Sequence, residues 1–355
     1  MNICIVGQYP PQLGGISTYT ANVKKELERL GHNVYILTYP GNIQRDDNVF
    51  EADTINIPGI RGLSFILSSY RILLNIVDKY DIEVIHANYI LPPALVAVLV
   101  KRKRDLRIVT SVHGSDMNIL ADNFLLKPFI RYTLKNSDEV YFVSRQLYEK
   151  SLLLDIDDIK EKSTITPNTV DVNKFDENKS CHNPLREKYG KPLVVFIGNL
   201  VKQKGLEYLL EAKSLAETDY TLLIYGDGTE YDNLKKIIED KKINDVYLLG
   251  KTYAPEKIIP QADVMVLPSV SEGASIIALE AMACKRAFIS TDTGNIRDVI
   301  TDYENGIIVA PKDAKGLSRE IDRLINDEKL REKLGKNARE TIKAKYSKIR
   351  IPYIE

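Results

Sequence analysis

Short runs of apolar, often β-branched residues alternate with helical patterns along the whole of this 355-residue chain. They occupy 3–6, 34–38, 84–86, 108–112, 140–143 and 163–166, then 193–197, 221–225, 246–249, 264–267, 287–291 and 307–309. Most are continuously apolar rather than alternating, which requires cover on both faces, as in a parallel sheet between helices. After the first run, Ile16, Tyr19, Val23, Leu27 and Leu30 recur at steps of three and four, and Gly31 follows where a helix should end. A polar stretch, DENKSCHNPLREKYGK at 176–191, separates the two series and reads as a linker. The expected fold class is α/β, with two Rossmann-like, doubly wound parallel-sheet domains at 1–175 and 192–339. Such sheets bind ligands beyond the carboxyl ends of their strands, so two of them facing each other would place the site in the cleft between.

Charge narrows the partners. Lys+Arg and Asp+Glu both number 49, with 20 of each in 1–175 and 29 of each beyond. Neither domain has the basic excess that binding along a phosphate backbone needs, so nucleic acid is not an expected partner. Cys4, Cys181 and Cys284 form no CxxC pair, and the four histidines show no ligand spacing. Neither a disulfide framework nor a metal site is expected, and a reducing compartment fits. The N-terminus, MNICIVGQYPP, lacks the basic region and long apolar core of a signal peptide. The longest apolar run, 90–100, holds 11 residues with Pro92 and Pro93 inside it, against the ~20 a membrane span needs. The expectation is a cytoplasmic protein.

Four segments carry chemistry. SVSEGASIIALEAMAC, 269–284, follows a strand candidate. Ser275 is a good N-cap, so a helix should begin there and offer its N–H groups and positive end to a phosphate. Gly273, Ala274 and Ser275 are small enough for backbone to approach a ligand closely. Glu272 precedes the helix and Glu280 lies about a turn and a half into it. Ionised carboxylates at both places suit sugar hydroxyls, which donate to them. In GQYPPQLGGISTYTANV, 7–23, Gly14 and Gly15 open the first helix directly after the first strand. That is similar to the phosphate-cradling turns of dinucleotide folds, without their GxGxxG fingerprint, and a plain tight turn would look the same. In VTSVHGSDMN, 109–118, His113 ends a run expected to be central, facing the ligand crevice, and Asp116 follows. His86, ending the run 84–86, is a second candidate. In FIGNLVKQKGLEYLLEA, 196–212, the strand stops at Gly198, and Lys202 and Lys204 stand in the loop before Gly205. A lysine there either neutralises phosphate as a point charge or is simply solvated.

Taken in this order, the segments resemble glycosyltransferase family 4, retaining enzymes of the GT-B fold, over nearly the whole chain. PSVSEGASIIALEAMACKRAF, 268–288, is similar to the family's block with two glutamates separated by seven residues. PNTVDVNKF, 167–175, is similar to its interdomain P-N-G-V-D segment, and the diglycine, H-G-x-D and K-G elements are present. The resemblance implies retaining transfer from a nucleotide-diphosphate sugar, UDP more than GDP, to a glycan, lipid-linked or small-molecule acceptor. It implies no metal and no cofactor beyond the nucleotide sugar itself. Gly15 would lie against the diphosphate, and Lys204 would neutralise it beside Gly198 and Asn199. Glu272 would take the sugar hydroxyls, with the backbone of Gly273, Ala274, Ser275 and Ile276 alongside. Glu280 would bind the ribose, and Gly250 and Lys251 would lie near the base. His113 would join Lys204 and Glu272 as a catalytic residue at the transferred sugar, with Asp116 and His86 on the acceptor side. The C-terminal residues, 340–355, would pack back on the first domain.

The chain departs from the family pattern in places. Asn199 stands where the family has an Arg, Gly273-Ala274-Ser275 replaces G-F-G, and the turn at 284–288 lacks its Gly and Pro. Two other readings stay open: a nucleotide-sugar epimerase of the same fold, and a non-catalytic nucleotide-sugar-binding subunit, which the absent Arg would favour. A peripheral membrane contact at the inner face is a further expectation. PGIRGLSFILSSYRILLNIV, 58–77, has apolar residues at helical spacing, and KRKR at 101–104 adds four positive charges. The competing reading turns Leu63, Ile66, Leu67 and Tyr70 toward the domain core.

Overall fold

The computed structural model describes every residue except 13, 42–46, 56, 58–59, 115, 121–122, 180–183 and 355, so Cys181, Pro58 and Gly59 lie outside the described residues. The contacts divide the chain into two units, Met1–Asn168 with Ile349–Glu355, and Thr169–Lys348.

Among the described residues the first unit holds seven parallel strands, β1 Asn2–Val6, β2 Asn33–Thr38, β3 Val49–Glu51, β4 Val84–Asn88, β5 Arg107–Val112, β6 Glu139–Phe142 and β7 Ser163–Ile165. Their order is β3-β2-β1-β4-β5-β6-β7. Ile3 to Val6 and all of β4 are buried, as continuous apolar runs covered on both faces must be. Helix α1, Gly15–Arg29, buries Tyr19, Val23 and Leu27, and Gly31 ends it with φ 85°. Helix α2, Arg61–Tyr80, buries Phe65, Ser69, Leu73, Ile76 and Val77. The strand β3 is absent from the sequence reading because it is a short edge strand whose Val49 and Phe50 are only half-buried.

The second unit holds six parallel strands, β8 Leu193–Ile197, β9 Thr221–Tyr225, β10 Val246–Leu248, β11 Val264–Leu267, β12 Ala287–Thr291 and β13 Ile307–Val309, in the order β10-β9-β8-β11-β12-β13. Each strand expected from the sequence is present here.

The boundaries differ from the expected ones. The division falls after Asn168, not after 175, because residues beyond it are tied into the second unit. The Val170 N–H donates to Tyr346 O at 2.9 Å, and Asp176 pairs with Arg339. Segment 176–191 is likewise no free linker, since it contains the helix Pro184–Tyr189, whose Arg186 pairs with Asp263 at 2.9 Å. At the other end, helix Glu328–Lys345 buries Leu334, Ala338 and Ile342 in the core of the second unit. Only residues from Ile349 onward return to the first unit.

Candidate functional site

In the second unit, the expected donor residues follow the carboxyl ends of three strands of the one sheet. Gly198 and Asn199 follow β8, Gly250 and Lys251 follow β10, and the loop to Glu272 follows β11. Backbone bonds tie these loops together. The Gly198 N–H donates to Tyr225 O at 3.0 Å, the Gly226 N–H to Gly250 O at 2.8 Å, and the Val270 N–H to Gln203 O at 2.8 Å. Gly205 makes the last contact possible. Its φ is +60°, and a Cβ there would collide with Pro268 O, so only glycine lets the two loops touch. Gly294 does the same beneath the next loop, where a Cβ would stand 2.7 Å from Gly273 O.

That framework presents Lys204 at the end of a short 3₁₀ turn, Lys202–Lys204, while Lys202 itself is exposed. The Lys204 ammonium is bonded to the Glu272 carboxylate, and Ser269 Oγ donates to Glu272 Oε1 at 2.8 Å. Three residues on, Ser275 caps helix Ile276–Ala283, its Oγ accepting from the Ala278 N–H at 3.3 Å. The cap fixes where the first-turn N–H groups point, and those groups with the helix dipole make a place for an anion. Glu280, one turn further, is buried, and burial lifts its carboxyl to about 8. The charge of Lys174 opposes that shift and the charge of Glu256 adds to it, with the Lys174 ammonium 3.6 Å from Glu256. Lys251 pairs with Asp227 at 3.3 Å, both half-exposed. The sequence reading missed Ser269, Lys174 and Glu256. Ser269 carried a signal, a hydroxyl three residues before a loop glutamate; the other two act only through the folded arrangement.

In the first unit, Gly15 opens α1 next to its N-cap Gly14. His113 follows β5 directly and is half-buried. Its ring meets the Tyr19 ring edge-on at 4.7 Å, and its Nε2 is buried without a hydrogen-bond partner among the described residues. Burial drives the imidazole down to about 3, so the ring is neutral. Asp116 is fully buried and turned into its own loop. It accepts from the backbone N–H groups of His113 at 3.2 Å, Gly114 at 2.8 Å and Met117 at 3.2 Å. Burial raises its carboxyl to about 6, against the pull of those donors. Through these bonds Asp116 shapes the loop that carries His113.

His86 also departs from expectation. It lies within β4, not at its end, because the strand continues through Ala87 and Asn88. Both ring nitrogens are occupied: Nε2 lies 2.7 Å from Ser111 Oγ and Nδ1 lies 3.2 Å from the Tyr353 hydroxyl. Ser111 Oγ is in turn 3.4 Å from the Tyr19 hydroxyl. Burial, with the nearby His113, holds the imidazole down at about 3, and in the fold its ring joins β4 to Ser111 and Tyr353.

Residues 13–174 match the family described as Glycosyltransferase Family 4, and residues 178–341 match Glycosyl transferases group 1. The chain belongs to glycosyltransferase family 4. This glycosyltransferase is 29% identical over 343 residues to an uncharacterized glycosyltransferase of Methanocaldococcus jannaschii, covering 96% of this chain and 93% of the relative. It is 27% identical over 354 residues to the N-acetyl-alpha-D-glucosaminyl L-malate synthase of Bacillus anthracis, covering 94% of this chain and 90% of that one. Among solved structures, an Anabaena protein in complex with UDP-glucose superposes with a TM-score of 0.81 at 16% identity, covering 97% of this chain and 95% of the other. The glycosyltransferase has, among its described residues, no helix long and apolar enough to cross a membrane.

Proposed function

We propose that this glycosyltransferase moves a sugar, with retention, from a UDP-sugar to a glycan or lipid-linked acceptor. The observation that carries the reading is the Lys204–Glu272 pair at the head of the capped helix Ile276–Ala283. A diphosphate would replace Glu272 on the Lys204 ammonium, and sugar hydroxyls would replace Lys204 on the carboxylate. Charge that develops on the leaving diphosphate would meet Lys204 and the helix N-terminus, both already in place. Glu280 would take the ribose hydroxyls. His113 would hydrogen-bond the transferred sugar through Nε2, which has no partner among the described residues. UDP is favoured because the similar Anabaena structure holds UDP-glucose. The relative named as a glucosaminyl L-malate synthase makes a small-molecule acceptor the nearest rival to a glycan.

The test is a thermal-shift series against UDP, GDP and their sugars, followed by release of free nucleotide. A ligand that binds only the folded state raises the melting temperature by mass action, so base and sugar are ranked together. The expected result is stabilisation by UDP and one UDP-sugar above the GDP series. Stabilisation by GDP-sugars alone would overturn the UDP assignment. Binding with no turnover on any acceptor would favour the non-catalytic subunit.

A further inference from the structure

Helix α2 carries two apolar stripes, and only one of them is covered. Phe65, Ser69, Leu73 and Ile76 are buried at the spacing of a single helical face. Positions two residues before and after Phe65 lie roughly 200° round the helix. They are Leu63 and Leu67, 58% and 66% exposed. Ile60 extends this outer stripe one step back, and Arg71 ends it one turn on. Ile55 and Ile57, before the helix, are exposed as well. A water-facing stripe is normally polar, so a row of large aliphatic side chains points to a contact.

The surroundings identify its chemistry. Ile55 and Leu67 line an open groove of about 1190 Å³ together with Tyr70, Leu99, Arg102 and Lys103. Of the four basic residues at 101–104, Lys101 pairs with Asp138 and Arg104 with Asp78. Arg71, Arg102 and Lys103 are exposed and have no carboxylate partner among the described residues. Among the described residues that line the groove, Asp53 is the one acidic residue. The surface is therefore an apolar ridge beside net positive charge.

We infer that this face of the first unit docks on a bilayer with anionic headgroups. Leu63 and Leu67 enter the boundary of the acyl chains, and Arg71, Arg102 and Lys103 meet the lipid phosphates. The ridge, not the KRKR run as a whole, is the contact, because two of those four charges are already paired within the unit. The inference is independent of which nucleotide sugar is used.

The test is co-sedimentation of the full chain with vesicles of phosphatidylcholine alone and of phosphatidylcholine mixed with phosphatidylglycerol, at low and high salt. The variants are the pair Leu63→Glu with Leu67→Glu and the pair Arg102→Glu with Lys103→Glu. All four positions are on the surface or in an open groove, and melting curves check that the variants fold. The wild type should bind the mixed vesicles at low salt, and each pair should lose about tenfold or more in binding. High salt should weaken the wild type strongly, since exposed charges are screened. Absence of binding to the mixed vesicles, or equal binding by the Leu63/Leu67 pair, would overturn the inference. So would a lipid-free dimer, seen by light scattering, that the same pair dissolves while no vesicle binding is found.

Discussion

The Lys204 ammonium is held by the Glu272 carboxylate, which Ser269 Oγ also approaches at 2.8 Å. A cation suited to phosphate and an anion suited to hydroxyls thus satisfy each other, with side-chain exposures of only 21% and 13%. At that modest depth a ligand carrying complementary charge and hydroxyls can replace each partner with the other's equivalent.

Lys204→Ala should lower turnover by about 100- to 1,000-fold, the scale for removing one strong stabiliser of developing charge. Release of free nucleotide from the best donor measures it. With Asn199 in the place of a second cation, a loss below about tenfold would transfer the role to the exposed Lys202.

Glu280 should make stability fall with rising pH. Its carboxyl sits at about 8 in the folded chain against an ordinary 4.5, so between those values the folded state holds a proton that the unfolded state has lost. Stability from this group is then greatest below the lower value and declines as pH rises to the upper one. Glu280→Gln, which stays neutral, should gain melting temperature relative to wild type between about pH 5 and pH 8. A constant difference would contradict the burial argument. Calorimetry on the same variant should show nucleotide affinity reduced by about three- to tenfold, the worth of one hydrogen bond. Unchanged affinity would remove Glu280 from the ribose.

Tyr353→Phe takes the hydroxyl from His86 Nδ1 and leaves a buried ring nitrogen without its partner. The cost in denaturant unfolding should be about 1–3 kcal/mol. In histidine-labelled protein the His86 ring resonances should move while those of the surface residue His32 stay. Unmoved His86 resonances would show that the contact does not form in solution.

Asp116→Asn turns an acceptor into a donor against one of the backbone N–H groups that now point at the carboxylate. A loss of about 1–3 kcal/mol is expected, together with a change in the loop that carries His113. Wild-type stability would show that the loop holds its shape without those bonds.

Much of this was legible beforehand. The runs 193–197, 221–225, 264–267, 287–291 and 307–309 coincide with strands because buried parallel strands are apolar on both faces and leave little else to read. The helix start at Ser275 followed from its side chain alone. Other features depend on distant partners. His86 looked like a strand end, yet Ala87 pairs with Val6 and Asn88 with Ser111, and neither residue resembles a strand former. Its bond to Tyr353 spans 267 residues. The rotation of α2 was equally hidden. With Leu63, Phe65, Ile66, Leu67 and Leu73 all apolar, the pattern allows more than one inward face, and only packing turned Phe65 in and Leu67 out.

The return of Ile349–Glu355 to the first unit gives the chain an order of assembly. Everything from Thr169 to Lys348 is translated between the strand that holds His86 and the tyrosine that closes over it. While the ribosome is still making the second unit, the first can form its sheet but must leave His86 without its Tyr353 partner. Completion of the first unit is therefore a late event, timed by synthesis of the second.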